Sequence, residues 1–290
     1  MALVGRPNVG KSTLQNRLLG MKLSITSRKP QTTRHNLLGV DTHGQYQALY
    51  VDTPGIHEPG SRGMNRYMVR SALAALREVD LALMIVERDV FNSGDELVLR
   101  QLQEAGVPAL VALNKIDRLS RKDLLLPAIE SLANRHDFSA YLPISAKTGA
   151  GVETLRQAVA ERLPPGPFAF PDDQLTDQSE RFLVAEIIRE KLMRRLGEEL
   201  PYELTVQIER YEERDTVTDI AANIYVEKPG QKQIVIGRKG EKLKSIGQEA
   251  RSDIETLIDR KVMLRLWVKV RQGWSSDERA LKRLGYGADK

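Results

Sequence analysis

The chain of 290 residues contains no cysteine. This absence excludes disulfide bonds and thiolate metal ligands, and it agrees with a reducing compartment. The four histidines are scattered without the spacing of a metal site, so we assign none of them to a metal. Neither a disulfide framework nor a cysteine–histidine metal centre is therefore expected.

Long hydrophobic runs are also absent from the sequence. No apolar segment approaches the ~18–20 residues of a membrane span. The amino terminus shows no signal-peptide pattern, so we expect a cytoplasmic protein. The length favours two domains, each large enough to bury its own core.

Charge is basic and unevenly distributed along the chain. The net charge is +5 and the isoelectric point is about 9.3, which favours a polyanionic partner. Residues 172–227 carry 7 basic and 15 acidic side chains, whereas residues 228–290 carry 16 and 8. The basic carboxyl-terminal segment can therefore bind nucleic acid, although a salt-bridged, solvated surface would explain the charge equally well.

The most informative segment is residues 5–12, which read Gly-Arg-Pro-Asn-Val-Gly-Lys-Ser. This string is a P-loop, in which backbone N–H groups surround phosphate oxygens. Lys11 is expected to reach the β- and γ-phosphates, and Ser12 to hold Mg²⁺. A P-loop alone does not distinguish ATP from GTP.

Three further motifs follow in order: Asp52-Thr-Pro-Gly55, Asn114-Lys-Ile-Asp117 and Ser145-Ala-Lys147. The carboxylate of Asp117 can accept hydrogen bonds from the N1–H and N2–H₂ groups of guanine, a pair of donors that adenine lacks. Each motif alone could be an ordinary surface turn. Their order behind the P-loop predicts a site for GTP or GDP with Mg²⁺.

Each motif follows a short apolar run, which is typical of a parallel α/β sheet with ligands at the carboxyl ends of its strands. The expected strands are 2–4, 46–51, 81–86, 109–113 and 141–144. Helical patterns lie between them at 11–19, 64–76, 96–104 and 152–162. The predicted fold class is therefore α/β, with a mostly parallel sheet in the GTP-binding domain.

The chain divides at a proline-rich stretch. We predict a Ras-like GTP-binding domain over residues 1–163, a proline-rich linker over 164–175 and an α+β domain over 176–290. The expected elements of the last domain are a helix at 179–196, strands at 202–211 and 219–227, a short apolar segment at 233–236, a helix at 241–258 and a strand at 262–270.

A second ligand motif, Gly237-Arg-Lys-Gly240, joins the short apolar segment to the last helix. A G-x-x-G loop in this position is the device of a KH domain (type II), in which the loop clamps about four nucleotides of single-stranded RNA. Arg238 and Lys239 would meet phosphates, with further basic residues at Lys242, Lys244 and Arg251. Apolar side chains at Ile236, Leu243 and Ile246 would form a floor for the bases. An ordinary turn or helix cap is the alternative, but the element order and the basic charge favour RNA.

Together these motifs resemble one known family. The sequence is similar to the Era family of bacterial GTPases, within the TrmE–Era–EngA-like class. The motifs that carry this similarity are the P-loop, Pro30-Gln-Thr-Thr-Arg34, Asp52-Thr-Pro-Gly-Ile-His57, the KH domain and the two guanine motifs, Asn114-Lys-Ile-Asp117 and Ser145-Ala-Lys147. The resemblance covers essentially the whole chain. It implies slow GTP hydrolysis, binding near the 3′ end of 16S ribosomal RNA, and assistance of small ribosomal subunit assembly.

The resemblance also implies where the protein acts. It suggests peripheral contact with the inner membrane, and we expect a monomer. A basic amphipathic stretch at 186–195 could touch an anionic membrane surface, but packing on its own sheet is the favoured interpretation.

Individual roles follow from the same resemblance. Thr32 or Thr33, with Thr33 favoured, would close over Mg²⁺ together with Ser12 and Asp52. The full nucleotide-binding set is Gly5, Asn8, Val9, Gly10, Lys11, Ser12, Thr13, Asp52, Asn114, Lys115, Asp117, Ser145, Ala146 and Lys147. The RNA-binding set is Ile236, Gly237, Arg238, Lys239, Gly240, Lys242 and Lys244. Gln15 is a departure, because the family has an apolar residue at that position.

The predicted catalytic set is Asn8, Lys11, Thr33 and Gly55, whose N–H would sense the γ-phosphate. Ile56 stands where Ras-like enzymes place a glutamine that orients the attacking water. An apolar side chain cannot orient water. Asn8 matches a P-loop asparagine that ligates potassium in relatives, and such a cation would take the place of an arginine finger.

Two functional hypotheses of different classes stay open. The first is a GTPase switch coupled to RNA binding, and the second is an RNA-binding assembly module in which GTP turnover is incidental. A third, a P-loop GTPase of tRNA modification or membrane transport, is disfavoured by the KH domain. The first two differ in whether RNA changes GTP turnover or GTP changes RNA affinity.

Overall fold

The computed structural model of the chain describes residues 1–27, 29–58, 63–88, 90–197 and 203–286, with the side chain of Lys122 left out. The chain forms two compact units. The first comprises Met1–Gly60 and Asn65–Asp177, and the second comprises Ser61–Met64 and Gln178–Lys290.

The first unit is built on a six-stranded sheet in the order β2-β3-β1-β4-β5-β6. Its strands are β1 (Ala2–Val4), β2 (Leu37–His43), β3 (Tyr46–Asp52), β4 (Ala82–Glu87), β5 (Ala109–Asn114) and β6 (Tyr141–Pro143). All neighbouring pairs are parallel except β2 and β3, which are antiparallel. The prediction of a mostly parallel α/β sheet is confirmed.

The helices of this unit cover the two faces of the sheet. They are α1 (Lys11–Leu19), α2 (Gly63–Arg77), α3 (Ser93–Ala105), α4 (Leu125–Ala133) and α5 (Val152–Ala160). Alternate residues of each central strand enter different cores, as a strand buried on both faces requires. In β4, Leu83 and Ile85 join one cluster, whereas Met84 and Val86 join the other.

Two elements of the first unit were not predicted. Strand β2 contains glycine and polar residues and lies at the sheet edge, so it lacks the continuous apolar run of a central strand. Helix α4 follows a short 3₁₀ turn and has Pro127 in its first turn, a residue that lowers the expectation of a helix.

The proline-rich segment lies against the antiparallel edge of the same sheet. The Gln47 side chain accepts hydrogen bonds from the N–H groups of Ala169 (2.9 Å) and Phe170 (3.0 Å). The Val40 N–H donates to the Leu175 carbonyl at 2.9 Å. The segment expected to be a linker is therefore hydrogen-bonded to the first unit as far as Leu175.

The second unit is an α+β fold. Its elements are α6 (Glu180–Arg195), β7 (Leu204–Glu213), β8 (Thr218–Val226), α7 (Pro229–Ile236), α8 (Glu241–Ile258), β9 (Val262–Val270) and α9 (Glu278–Arg283). Strand β8 pairs antiparallel with β7 and parallel with β9. One apolar cluster joins α6, α7 and α8 to the sheet.

Most of the expected elements are present in this unit, with two differences. The short apolar segment at 233–236 is the end of a complete helix, α7, which begins at a proline and buries Val235. Helix α9 was not predicted. The expected strand start at Tyr202 lies outside the described residues. None of the described helices is long and apolar enough to cross a membrane.

Candidate functional site

The P-loop joins β1 to α1 and requires unusual backbone angles. The φ angle is 67° at Asn8 and 107° at Gly10. A Cβ atom at position 10 would lie 2.4 Å from the Nδ2 atom of Asn114, so the loop needs glycine there. The amino terminus of α1 follows directly, and its free N–H groups make this loop a ready anion site.

Lys11 is buried, and its side chain is hydrogen-bonded to the backbone of the P-loop. Its Nζ atom donates to the carbonyl oxygens of Gly5 at 2.9 Å and Arg6 at 3.1 Å. Burial lowers the pKa of Lys11 to about 8, and the neighbouring Asp52 carboxylate opposes that shift. Phosphate oxygens in the loop would favour the charged ammonium, because an adjacent opposite charge raises the pKa of an amine.

Three oxygen-bearing side chains converge at the carboxyl end of β3. The Ser12 hydroxyl donates to Asp52 Oδ2 at 2.7 Å, and Thr33 Oγ1 lies 2.8 Å from Ser12 Oγ and 3.2 Å from Asp52 Oδ2. Asp52 is fully buried, and its Oδ1 atom has no hydrogen-bond partner among the described residues. Burial raises the pKa of Asp52, while Lys11 and the nearby hydroxyls lower it. This set of hard oxygen donors fits Mg²⁺.

The two candidate threonines differ in what they contact. The Thr32 hydroxyl donates to the Lys29 carbonyl at 2.7 Å, whereas Thr33 faces the Ser12 and Asp52 cluster. The geometry therefore favours Thr33 over Thr32 as the hydroxyl at the metal position.

Asn114, at the end of β5, connects three loops. Its Nδ2 atom donates to the Val9 carbonyl at 2.7 Å, and its Oδ1 atom accepts from the N–H groups of Lys115 (2.7 Å) and Ala146 (3.0 Å). Its side chain is only 2% exposed. Asn114 is therefore placed to align the P-loop with the two guanine loops, behind the surface that a base would meet.

Asp117 is exposed, in contrast to Asn114. Its Oδ1 atom accepts a hydrogen bond from the buried Ser145 hydroxyl at 2.7 Å, which orients the carboxylate. Lys115 adopts a φ of 67°, and its ammonium lies 3.0 Å from Glu87. The carboxylate proposed to read guanine is thus both fixed and accessible.

A cavity of about 610 Å³ lies over these groups, a volume suited to a nucleotide. Its walls include the predicted residues Asn8, Gly10, Lys11, Ser12, Thr13, Thr33, Gly55 and Lys115. The other predicted nucleotide residues do not line it: Gly5, Val9, Asp52, Asn114, Asp117, Ser145, Ala146 and Lys147. Among them, Asp52 is hydrogen-bonded to Ser12 and Thr33 in the walls, and Asn114 accepts a hydrogen bond from the N–H of Lys115.

Ile56 does not face this cavity. It is 1% exposed and belongs to the core on one face of the sheet. The arrangement agrees with the interpretation that this residue cannot orient a water molecule.

Several supporting residues carried no local sequence signal. Arg17 on α1 donates to the carbonyls of Ala146 (3.2 Å) and Lys147 (2.5 Å), across 129 and 130 residues of sequence. Arg6 contacts Glu87 at 3.3 Å and the buried Asp95 at 3.1 Å. Such long-range contacts can be found only once the chain is folded. The cavity is also lined by Ile25, Thr26, Ser27, Gln31 and Arg118.

The G-x-x-G loop of the second unit lies between α7 and α8. The φ angle is 75° at Gly237 and 49° at Lys239. A Cβ atom at position 237 would lie 2.6 Å from the Cβ atom of Lys242, so glycine is required for this close turn. The side chains of Arg238 and Lys239 are exposed and accessible to a phosphate backbone.

A groove of about 460 Å³ lies beside this loop. It is lined by Gly240, Leu243, Lys244, Gly247, Gln248, Arg251, Met263, Leu264 and Leu266. The prediction that Ile246 forms its floor is wrong, because that side chain is fully buried in the core. Ile236 also packs against the core, and apolar residues of β9 take its place in the groove. Sequence reasoning predicted strand β9 but not its part in the groove, because the groove forms only when that strand lies beside α8.

The basic residues of α6 are used inside the second unit. Four ion pairs hold them: Arg189–Glu186, Lys191–Asp253, Arg194–Glu190 and Arg195–Glu249. Eight residues of this helix are buried. The described contacts therefore favour packing on its own sheet over contact with a membrane.

Comparison with known proteins agrees with these two sites. A family model described as a 50S ribosome-binding GTPase matches residues 1–115, and a KH domain model matches residues 199–275. GTPase Era of Pseudomonas aeruginosa is 55% identical over 99% of this chain and 94% of that protein. GTPase Era of Azotobacter vinelandii is 56% identical over 99% and 95%.

Two solved structures are similar over almost the whole chain. Aquifex aeolicus Era bound to GDP·AlF₄⁻ gives a TM-score of 0.96 at 38% identity, covering 99% of this chain and 98% of that one. Era in complex with MgGDPNP and nucleotides 1506–1542 of 16S ribosomal RNA gives the same TM-score and identity, with coverage of 99% and 97%.

The fold and the two sites define a P-loop GTPase that carries a carboxyl-terminal KH domain. The full-length identity to curated relatives narrows this class to one family. The chain belongs to the Era family of GTPases, and its reaction is the hydrolysis of GTP to GDP and phosphate.

Proposed function

We propose that the chain is a GTP-hydrolysing switch that binds 16S ribosomal RNA near its 3′ end and assists assembly of the small ribosomal subunit. The observation that carries the proposal is the presence, on one chain, of a built GTP site and a G-x-x-G groove with exposed basic residues. The 38% identical Era crystallised with MgGDPNP and a 16S fragment supports the same RNA partner and the same Mg²⁺–guanine nucleotide pair.

Ser12, Thr33 and Asp52 are the proposed Mg²⁺ ligands, with Asp52 acting through water. Bound there, Mg²⁺ neutralises negative charge on the β- and γ-phosphates. Thr33 belongs to a segment that lines the cavity, together with Gln31 and Thr32. A bound γ-phosphate would order this segment through the Thr33 hydroxyl. Nucleotide state would thereby control the shape of the surface around residues 25–33.

Catalysis is assigned to positioning and charge rather than to a general base. Lys11 and the N–H of Gly55 would stabilise the transferring phosphoryl group. Ile56 is buried and supplies nothing to the attacking water. Asn8 is exposed in the cavity wall, where its side chain can ligate a potassium ion beside the phosphates.

RNA recognition is assigned to the loop and groove of the second unit. Arg238, Lys239, Lys242 and Lys244 would contact phosphates, because phosphate contacts position an RNA without reading its sequence. The bases would lie over Leu243 and the apolar residues of β9. Sequence preference would therefore reside in the groove and affinity in the loop.

The alternative function is an RNA-binding assembly module in which GTP turnover is incidental. It predicts no thermodynamic coupling between the two ligands. We further propose that the protein acts as a monomer in the cytoplasm, and peripheral contact with the inner membrane stays a prediction.

The deciding experiment measures coupling in both directions. The affinity of a 16S 3′-end oligonucleotide is titrated with the protein loaded with GDP or a non-hydrolysable GTP analogue. The two nucleotides are then titrated with and without that RNA. A switch requires equal, non-zero shifts in both directions, because linkage is reciprocal. Equal RNA affinities in the two nucleotide states would favour the assembly-module alternative, and a scrambled RNA is the control.

A further inference from the structure

One carboxylate joins two loops of the candidate nucleotide site. Glu87 is the last residue of β4, and its Oε2 atom lies 3.0 Å from the ammonium of Lys115 and 3.3 Å from the guanidinium of Arg6. Arg6 belongs to the P-loop, and Lys115 belongs to the guanine motif at residues 114–117. The two loops are therefore paired with the same oxygen atom.

The three charged groups can keep these contacts at the same time. An ionised carboxylate only accepts hydrogen bonds and the two cations only donate them, so one oxygen can accept from both. Burial raises the pKa of Glu87, but the hydrogen bond and charge of Lys115 and the charge of Arg6 outweigh burial and hold that pKa below its usual range. An ammonium has three protons, so Lys115 can stay paired with Glu87 and still donate to a bound ligand.

Secondary structure holds the other members of this group. Strands β4 and β5 pair with Glu87 opposite Asn114, the residue directly before the lysine. The Nε atom of Arg6 donates to the buried Asp95 at 3.1 Å, and Asp95 also accepts from the N–H of Asn92 where α3 begins. The carboxylate that the lysine meets is thus fixed by the sheet and by an arginine that is itself anchored on a helix.

The lysine is the member of the group that reaches the ligand. Lys115 lines the nucleotide cavity, whereas Glu87 and Arg6 do not. The side chains of Lys115 and Glu87 are only 20% and 18% exposed, so salt screens their attraction less than that of a surface pair. A lysine side chain has much rotamer freedom when it is unpaired, and a ligand that packs against it must remove that freedom on binding.

We propose that Glu87 is a positioning residue for the nucleotide: it holds the Lys115 side chain in the cavity wall before the ligand arrives. This role rests on the proposed nucleotide-binding role of Lys115. Without the carboxylate, the lysine would lose its fixed position, and a bound nucleotide would be released faster.

The test measures the release of a fluorescent GDP from the full chain, with Mg²⁺ and unlabelled GDP in excess. Glu87→Gln keeps the shape of the side chain and removes its charge, so we expect release about fivefold faster. Lys115→Met keeps an unbranched stem but cannot form the ion pair, and it should also speed release. Glu87→Gln should add nothing in the Lys115→Met background, because its effect passes through the ammonium.

Two further variants separate positioning from a general loss of structure. Glu96→Gln is the matched control, because Glu96 pairs with Arg135 at 3.2 Å in the same unit and lies outside the cavity wall. It should leave the release rate unchanged. Glu87→Asp keeps the carboxylate on a shorter stem, so its release rate should lie between those of the native protein and Glu87→Gln.

Each other outcome is decisive. A native or slower release rate in Glu87→Gln overturns the proposal, and so does a full fivefold effect of Glu87→Gln in the Lys115→Met background. If Glu87→Gln does not fold, a native release rate in Glu87→Asp overturns it. A native release rate in Lys115→Met would instead remove Lys115 from the nucleotide site, which is a separate failure of the proposed site.

Discussion

The two candidate ligand sites of this chain are built in opposite ways. In the first unit, the side chains of the nucleotide site are bonded to one another: Asn114 holds three loops, and Asp52 holds two hydroxyls of the candidate metal cluster. In the second unit, the side chains of Arg238 and Lys239 are exposed and make no hydrogen bond or ion pair to any other described residue. The nucleotide site is preorganised by its own hydrogen bonds, whereas the two cations of the G-x-x-G loop lie in solvent.

The difference follows from the chemistry of the two ligands. A nucleotide has one shape, so fixed donors lose little entropy when it binds and discriminate well between bases. Single-stranded RNA is flexible and densely charged, so exposed cations contribute through counterion release and need no fixed partner. The first site should therefore be sensitive to buried hydrogen bonds, and the second to charge and salt.

The largest effect should come from Asn114→Ala. This change removes three hydrogen bonds, two of them buried, at about 1 kcal/mol each, so GDP affinity should fall about 100-fold. Affinity for RNA in the absence of nucleotide should not change. Calorimetry with each ligand checks both statements, and GDP affinity within twofold of the native value would show that the loops do not depend on this side chain.

The second-largest effect should come from charge reversal in the G-x-x-G loop. We expect Arg238→Asp with Lys239→Asp to weaken every single-stranded RNA about 30-fold, and to make the log–log salt slope shallower by about 0.7 per residue. GTP binding should be unaffected. Titration at two salt concentrations provides the measurement.

The matched control for charge reversal is Arg77→Asp with Arg100→Asp, which makes the same charge change at exposed positions of the first unit. It should change RNA affinity far less. If the loop variant keeps both its RNA affinity and its salt slope, the loop is only a structural connection.

Asp117→Asn should exchange nucleotide preference. The amide cannot accept both guanine donors, so GTP affinity should fall by about 1–3 kcal/mol, while its N–H₂ group can donate to the extra carbonyl of xanthine. XTP affinity should rise correspondingly, since Ser145 can still orient the amide oxygen. Competition binding with the two nucleotides checks this, and unchanged affinities in a folded variant would remove Asp117 from the base site.

A smaller, several-fold effect is expected from the choice of monovalent cation. GTP hydrolysis should be faster in potassium than in sodium at equal ionic strength, because a ligated cation stabilises charge in the transition state. Asn8→Ala should abolish the difference and leave GDP binding mostly intact. Equal rates of the native protein in the two salts would contradict the cation proposal and leave Ile56 without a compensating partner.

The smallest effect should come from Gly247→Ala in α8. Alanine stabilises a helix interior relative to glycine, so the free energy of unfolding should rise by about 0.5–1 kcal/mol. The new Cβ atom would lie 3.5 Å from a methyl carbon of Leu266 in the groove, so RNA affinity should fall slightly while GTP affinity stays constant. Chemical denaturation measures the change in the free energy of unfolding, and RNA titration measures the change in affinity. An RNA affinity equal to or above the native value would show that bases do not reach this part of the groove.

The local sequence was sufficient to predict a feature wherever a short motif determines its own backbone geometry. The P-loop and the G-x-x-G loop could be recognised because glycines at Gly10 and Gly237 permit turns that other residues cannot adopt. The central strands were predicted for a similar reason, since strands buried on both faces are continuously apolar. The α/β fold class of the first unit is confirmed on that basis.

Sequence reasoning failed where an assignment depends on what packs behind a residue. Ile246 was expected to face the groove but is buried, because helical spacing gives the period of a face and not its direction. Strand β2 was missed because it lies at an edge and carries polar residues. Asn114 was placed in the nucleotide-binding set, but the sequence did not show that its amide also holds loops that are 105 and 32 residues away.

The sequence by itself determined the ligand classes of this protein, because the guanine, phosphate and RNA motifs each occupy a few consecutive residues whose chemistry is local. Only the tertiary structure decided how those motifs are supported. Hydrogen bonds such as Arg17 to Ala146 and Gln15 to Tyr50 join residues that are 129 and 35 positions apart. Nothing in the order of residues specifies such pairs until the sheet brings α1 beside its partners.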